Sequence, residues 1–572
     1  MHKIMRIKRI FFICMAALEC AAMPIIAAQK PELQKANFDG ITYIIDDQTL
    51  TASVAAGQTV QGEVVIPETI TAGEDIYTIT GISEKAFKGC KDLTGISLPK
   101  TVRTVYRSAF EGTAFYLDKE ANWQHGTLYI DSILISVDPD SIKSKYTVAE
   151  YTSVIAAGAF NDCKELKQLI LPNSITEIAP QTFKGCKSIR KFKLGQGIRR
   201  IGKDAFTGTG AWDNEGNWKK GVLYIDTCLI AANKSIQPDY VVRPESRVMA
   251  DGAFADNQVL HHIVLSPRYK EIGEETFMGC GHLEYVDMTS SIECIGQTAF
   301  GDCQAIKAIV LPSNLKKIEA QAFAGCTSLQ KITIPRGVTV IANGAFYQCT
   351  GLIKVDWPER LREIGKGAFY GCASLIDAKN LPNSLQTVRT GAFCGCRNLT
   401  EVTLPDSVAQ VAPHSFDGCV ALRKVTMSNN VYDIGEFAFR NCYNLESLRM
   451  PDFLFRIGNY AFMGCTMLRY FHVPDYTEVI ESGAFMNCAA IEKIDIPLRA
   501  KIIERQTFAG CKVLQVVNFH TKVESVGESA FENCTRLKTV KIPEKCVLHK
   551  NAFKGCKPKI IYVPVEDDNQ EK

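Results

Sequence analysis

Long apolar runs are missing from this 572-residue chain beyond its first 28 residues. No later stretch reaches about 18 consecutive apolar residues, so none has the length of a membrane-spanning helix. Histidine is scarce, with nine in all, and none falls in H-E-x-x-H spacing. A G-x-S-x-G elbow, a P-loop and a G-x-G-x-x-G turn after a strand are also missing. The expectation is therefore a protein with no catalytic residues, no cofactor and no metal site. Charge of one sign is lacking as well: 65 Lys and Arg stand against 62 Asp and Glu, a formal +3. Lys3, Arg6, Lys8, Arg9 and Glu19 together carry that whole excess, and the rest of the chain is near neutral. Basic residues are spread, not clustered, which argues against nucleic acid and against nonspecific binding to anionic membranes.

The N-terminus reads as an export signal. A basic start precedes the mostly apolar "IFFICMAALECAAMPIIAA" and a small-residue site before Gln29. This places cleavage near Ala28 and makes 1–28 a signal peptide. Glu19 and Pro24 interrupt the run, which weakens an uncleaved anchor, and Glu19 before Cys20 disfavours a lipid anchor.

What the chain has in quantity is repetition. "LQKITIPRGVTVIANGAFYQCTG" (329–351) is followed without a gap by "LIKVDWPERLREIGKGAFYGCAS". The phenylalanine of this phrase recurs 19 times from Phe87 to Phe553, nearly always 23 residues apart. Two intervals are about double, Phe110 to Phe160 and Phe206 to Phe254. Within the unit, Leu329, Ile332 and Ile334 alternate with polar Lys331 and Thr333, the pattern of a short strand with one buried face. Pro335 cannot donate to a ladder and ends it. Val338 and Ile341 return inward. "NGAFYQC" is too short for a full helix and predicts a helical or 3₁₀ turn, with Ala345, Phe346 and Cys349 in the core. One unit cannot bury its own apolar set, but stacked copies can.

The phrase "CTSLQKITIPRGVTVIANGAF" resembles the leucine-rich repeat of BspA-like bacterial surface proteins, over roughly residues 80–563. The resemblance implies a β-rich leucine-rich-repeat solenoid: a parallel concave sheet of about 19 strands, with short helical or 3₁₀ turns on the convex side. Residues 29–79, including "FDGITYIIDDQTL", resemble that family's N-terminal β cap. The acidic end 564–572 is expected to be disordered. The two long intervals share Asn-Trp and then Gly-x-Leu-Tyr-Ile-Asp, which predicts inserted β-hairpins near 112–137 and 208–232.

Sixteen of the 22 cysteines hold one slot of the repeat. A ladder of equivalent side chains pointing one way offers no natural pairing and no tetrahedral cluster. In three units the slot holds Thr113, Thr209 or Asn257. A small, buried, weakly hydrogen-bonding group suits all three types, so the slot predicts free thiols ahead of disulfides or metal. Cys228, Cys294, Cys394 and Cys546 fall outside the ladder, and one bridge among them stays open.

Exposed strand positions line the expected concave face with mixed charges, hydroxyls and aromatics. Lys331, Lys354, Lys424, Tyr285 and Tyr470 are the candidate binding residues there, and Trp212 is the candidate in the second insert. An ordinary solvated face is the plain alternative at each position, and packing of the hairpin is the plain alternative for Trp123 and Trp218. The family resemblance implies a secreted or surface-exposed, adhesin-like protein that binds host extracellular or cell-surface proteins, and the expected state is a monomer. A glycan-binding accessory that uses the insert aromatics is the alternative. An enzyme working through Cys394 or a histidine is the remote third reading.

Overall fold

The computed structural model describes residues 34–564 apart from 47–50 and 73–74. The expected signal peptide and acidic tail lie outside the described residues, save for the tail's first residue. The chain forms two compact units, 1–280 and 281–572.

In the second unit each repeat contributes to two parallel ladders, where the periodicity predicts one sheet. Strands such as Lys331–Thr333 and Lys354–Asp356 pair residue for residue, with Lys331 opposite Lys354. A second ladder is built from two-residue strands such as Val340–Ile341 and Glu363–Ile364. Pro335 separates the two: the Val338 amide donates to its carbonyl at 3.0 Å, closing a tight turn. The "GAF" segments form a third row. The Phe346 amide donates to the Ala368 carbonyl of the next repeat, and the Phe369 amide to Ala392, each at 2.8 Å. Each "AF-x-x-C" segment is a single turn, with the Cys349 amide bonded to the Phe346 carbonyl. Every wall of the coil is thus hydrogen-bonded to its neighbour. This satisfies backbone groups that the short strands alone would leave open.

The core holds the residues the alternation selects. Leu329, Ile332, Ile334, Val338, Ile341, Ala345, Phe346 and Cys349 are all buried. From Phe300 to Phe553 the phenylalanine rings form one continuous column. Neighbouring centroids are 5.2 to 5.6 Å apart and the ring planes lie within 13° of parallel. Such stacked pairs add about 0.5–1.5 kcal/mol each beyond burial.

The thiols form a second column with a defined task. From Cys326 to Cys534 each Sγ–H donates to the carbonyl of the phenylalanine one repeat earlier, at 3.0 to 3.4 Å. All twenty described cysteines are thiols, not half-cystines. The cysteine is therefore a donor between repeats as well as a spacer. Where the slot is Thr113 or Thr209, the hydroxyl bonds its own repeat's phenylalanine carbonyl and accepts from the amide three residues on. Both threonines stand where an insert departs, so the bond to a neighbour is exchanged for a cap on the departing chain.

The first unit opens with antiparallel strands Gln34–Phe38, Ile41–Asp46 and Thr51–Val54. Two further strands seed the ladders. Gly62–Val65 pairs in parallel with Leu93–Ser97, and Asp75–Ile82 with Thr104–Val105. Gln58 imitates a phenylalanine of the turn row: its amide donates to the Ala86 carbonyl and its own carbonyl accepts the Cys90 thiol. The cap thus presents the backbone pattern of a repeat to the first repeat.

The inserts are more integrated than hairpins. In each, three antiparallel strands form, and the last one enters the short ladder. Ile133–Val137 pairs in parallel with Val154–Ile155, and Cys228–Ala232 with Val248–Met249. The shared Asn-Trp dipeptide has a common geometry. Asn122 and Trp123 donate to the carbonyls of Phe115 and Tyr116; Asn217 and Trp218 donate to those of Ala211 and Trp212. Across the second insert Arg200 reaches Asp251 at 2.9 Å and Glu274 at 3.0 Å, joining repeats on either side of the gap. Burial pushes the Asp251 carboxyl up to about 7 against the opposing pull of Arg200.

Three tests follow from this packing. Cys349→Ala deletes one sulfur and one inter-repeat bond in a site with no exposure; urea unfolding should report a loss of about 1–2 kcal/mol. Trp218→Phe leaves the Trp212 carbonyl without its indole donor and should cost about 1 kcal/mol in the same assay. The third concerns alkali. Burial raises the thiols of Cys186, Cys280, Cys349 and Cys534 to about 12 from an ordinary 9.0. Below the unfolded value both states hold the proton and the thiols cost nothing. Above it the unfolded chain releases protons that the folded chain retains, so stability falls as pH rises from 9 towards 12. Each such thiol contributes a slope of about 1.4 kcal/mol per pH unit. Denaturant midpoints should decline gently up to about pH 7, where the folded chain keeps an Asp251 proton that the unfolded chain has lost, level off near pH 8 and drop steeply from about 9. A flat profile to pH 11 would contradict the buried-thiol column.

Candidate functional site

The side chains that leave the core on the long ladder alternate with buried ones. In Lys331–Thr333 the central Ile332 is buried, and Lys331 and Thr333 are exposed. Lys424–Thr426 and Ser447–Arg449 repeat the pattern. Pairing in register carries it from strand to strand: Asp377 lies opposite Glu401, Glu401 opposite Lys424, and Lys424 opposite Ser447. A row of polar groups results, one per repeat, with Lys331 and Lys354 paired in one sheet and Asp377 to Tyr470 in the next. Neighbouring strands lie about 4.8 Å apart.

Lys331 and Lys354 come together around one carboxylate. Asp356 receives Lys331 Nζ at 2.9 Å and Lys354 Nζ at 3.3 Å, and the Thr333 hydroxyl donates to it at 2.9 Å. The Lys331 bond, helped by Thr333 and Lys354, holds the Asp356 carboxyl down to about 2. Lys493 and Asp495 form a similar pair at 3.1 Å, joined by Asn518. Exposed pairs of this kind are worth about 0–1 kcal/mol, so they organise the surface more than they stabilise the fold. Lys424 lies farther along the same row beside Glu401. Tyr285 opens the strand Tyr285–Asp287 and is exposed. Tyr470 opens Tyr470–His472, and its side chain lies outside the described residues.

Trp212 sits elsewhere, in the first unit. It is half-buried, packs against the core and meets Trp218 edge-on at 5.1 Å. Trp123 is likewise packed, edge-on to Tyr116. The remaining chemical candidates are held in ordinary roles. Cys394 is buried, His261 bonds the Val259 carbonyl, and His262 lies 3.6 Å from Asp239. Among the described residues no group of three or more His, Cys, Asp or Glu side chains is placed to hold a metal. No described helix is long and apolar enough to cross a membrane.

One feature escaped the strand pattern because it lies on turns. Tyr432, Phe453, Phe455, Tyr476 and Leu498 are exposed in successive repeats. The signal was present: a large apolar residue directly after Pro-Asp in "PDFLF" and "PDYTE", where other repeats are polar.

No curated protein matches the chain. Among solved structures, a leucine-rich repeat protein from Bacteroides ovatus is 23% identical, covering 85% of this chain and 100% of its own at a TM-score of 0.41. A leucine rich cell surface protein from Faecalibacterium prausnitzii is 17% identical, covering 86% and 96% at 0.29. The pneumococcal vaccine antigen PcpA is 13% identical, covering 93% and 99% at 0.32. The family model described as BspA type leucine rich repeat region matches residues 68–120, 141–236, 247–376, 375–456 and 433–559. A match over most of its length, on the repeat whose ladders and cysteine slot are seen here, makes this chain a member of the BspA-type leucine-rich-repeat family.

Proposed function

We propose that this chain is exported through its N-terminal segment, cleaved near Ala28, and serves as a monomeric, non-enzymatic binding module on or outside the bacterial cell. In this reading it is adhesin-like. Its partner is a host extracellular or cell-surface protein, taken up on the exposed face of the long ladder. The observation that carries the reading is the row itself: polar side chains at a fixed spacing, set in register by the paired strands. A broad face of mixed charge suits a polar macromolecule better than a small apolar ligand. Lys331, Lys354 and Lys424 are the proposed contacts, flanked by Tyr285 and Tyr470. Glycan capture by the insert aromatics is the weaker reading, because Trp212 and Trp218 spend much of their surface on each other and on the core.

The test is surface plasmon resonance of residues 29–572 over a panel of extracellular-matrix proteins and glycans. Saturable binding to a matrix protein is expected. The triple variant Lys331→Glu, Lys354→Glu, Lys424→Glu should weaken it at least tenfold without shifting the unfolding midpoint. Silence across the panel, or binding indifferent to the triple variant, would refute the assignment.

A further inference from the structure

The turns that join the two ladders are built alike. In each, an amide three residues on bonds back to the first residue, as Leu454 to Pro451, Thr477 to Pro474 and Ala500 to Pro497, each at 3.0 Å or less. Two residues form the corner of every turn. Earlier repeats of the second unit place polar residues there, among them Asn314, Arg360, Ser384, Ser407 and Asn430. The next three place Phe453, Tyr476 and Leu498. Phe453 is 63% exposed and Leu498 57%. Tyr432 and Phe455 lie beside them on adjoining strand ends, bonded through the Phe455 amide to the Tyr432 carbonyl. Twelve of the other fifteen phenylalanines of the unit stand in the stacked column, so exposing these rings forgoes up to about 1.5–3 kcal/mol apiece. Nothing in the fold requires it, since the same turn closes with Asn or Ser elsewhere.

The geometry points to a glycan-binding site along this row of corners, for a neutral polysaccharide lying across successive repeats. Three observations choose that occupant. First, the rings are interleaved with acceptors: Asp452 precedes Phe453, Asp475 precedes Tyr476, and Asn429 bonds Asp452 at 3.0 Å. Asp452 also lies 3.9 Å from Arg449, and Asp475 accepts from the Leu498 amide at 3.3 Å; an apolar protein surface pressed onto the rings would bury the lone pairs that these contacts leave to water. Sugar hydroxyls would donate to them while the C–H face of the ring covers the aromatic. Second, Phe453 and Tyr476 stand edge to face at 83° with centroids 5.8 Å apart, which makes a corner able to hold a ring on two sides. The Arg499 guanidinium lies 4.1 Å over Tyr476 and fixes its plane. Third, the Asp-aromatic pair occurs in two successive repeats, Asp452-Phe453 and Asp475-Tyr476, with Leu498 at the next corner, so a ligand with a repeating unit can meet the same pair twice in step. The site is distinct from the ladder face of the proposed function and does not rest on it.

Affinity electrophoresis of the chain through gels containing a mixed-linkage β-glucan, a galactomannan or glycogen tests the idea. Retardation by at least one polysaccharide is expected. Phe453→Ala and Tyr476→Ala should each weaken it at least tenfold, and Phe455→Ser should do so less, all with unchanged urea midpoints. The Lys331, Lys354, Lys424 charge-reversal variant should migrate as the parent, which separates this site from the ladder face. Free migration in all three gels would overturn the proposal, as would retardation that survives both alanine variants. Loss of matrix-protein binding in Phe453→Ala with no polysaccharide effect would overturn it in favour of a protein contact.

Discussion

A repeat of this length cannot satisfy itself. Its strands are two or three residues long, its turns carry single bonds, and its apolar side chains fill only half a core. Everything else depends on the neighbouring repeat completing what each leaves open. The bonds from Phe346 to Ala368 and from the Cys349 thiol to the Phe323 carbonyl are the sharpest instances. The phenylalanine carbonyl already accepts the amide of its own turn. Its second lone pair faces the next repeat, where only a small donor fits. Cysteine meets that demand with a group soft enough to pack among phenylalanines. An ordinary polar donor in the same place would pay more for burial.

The same dependence explains the two ends of the first unit's anomalies. A cap must present the bonds a repeat would, and Gln58 does so with main-chain atoms alone, which leaves its side chain to bond Thr42 and Ala55. An insert must hand the ladder back after leaving it. Each does this by sending its last strand into the short ladder, and by ion pairs such as Arg200 with Asp251 that span the interruption. The threonines mark the departure points because a hydroxyl can cap the outgoing chain and a thiol caps poorly.

Much of this could be read from the sequence. Alternation around Ile332 and the proline after it located the long ladder. The fixed phenylalanine located the column, and the Thr and Asn replacements identified a thiol slot instead of a disulfide framework. Other features could not be read that way. "TVI" (339–341) is too short to declare itself a strand, so the second ladder was hidden; it exists only because the neighbouring repeat pairs with it. The thiol's acceptor was equally hidden, since it lies 26 residues back and belongs to the main chain. Of the candidate site, exposure of the ladder lysines followed from periodicity, but the shared Asp356 did not. The packing of Trp212 onto Trp218 depends on a turn whose path only the folded chain defines. The exposed aromatic corners were missed because periodicity weighs strands, and turns were passed over as punctuation.

Division of labour between core and surface bears on recognition. The buried positions are nearly invariant along the chain, so repeats are interchangeable inside. Their outward residues are free to differ, because a corner that closes with Ser407 at 3.0 Å closes with Phe453 at the same distance. No single repeat is wide enough to form a pocket. A ligand can gain affinity only by touching several in succession, at a spacing the backbone sets and side chains cannot alter. Surfaces of this kind therefore select by length and period as well as by chemistry.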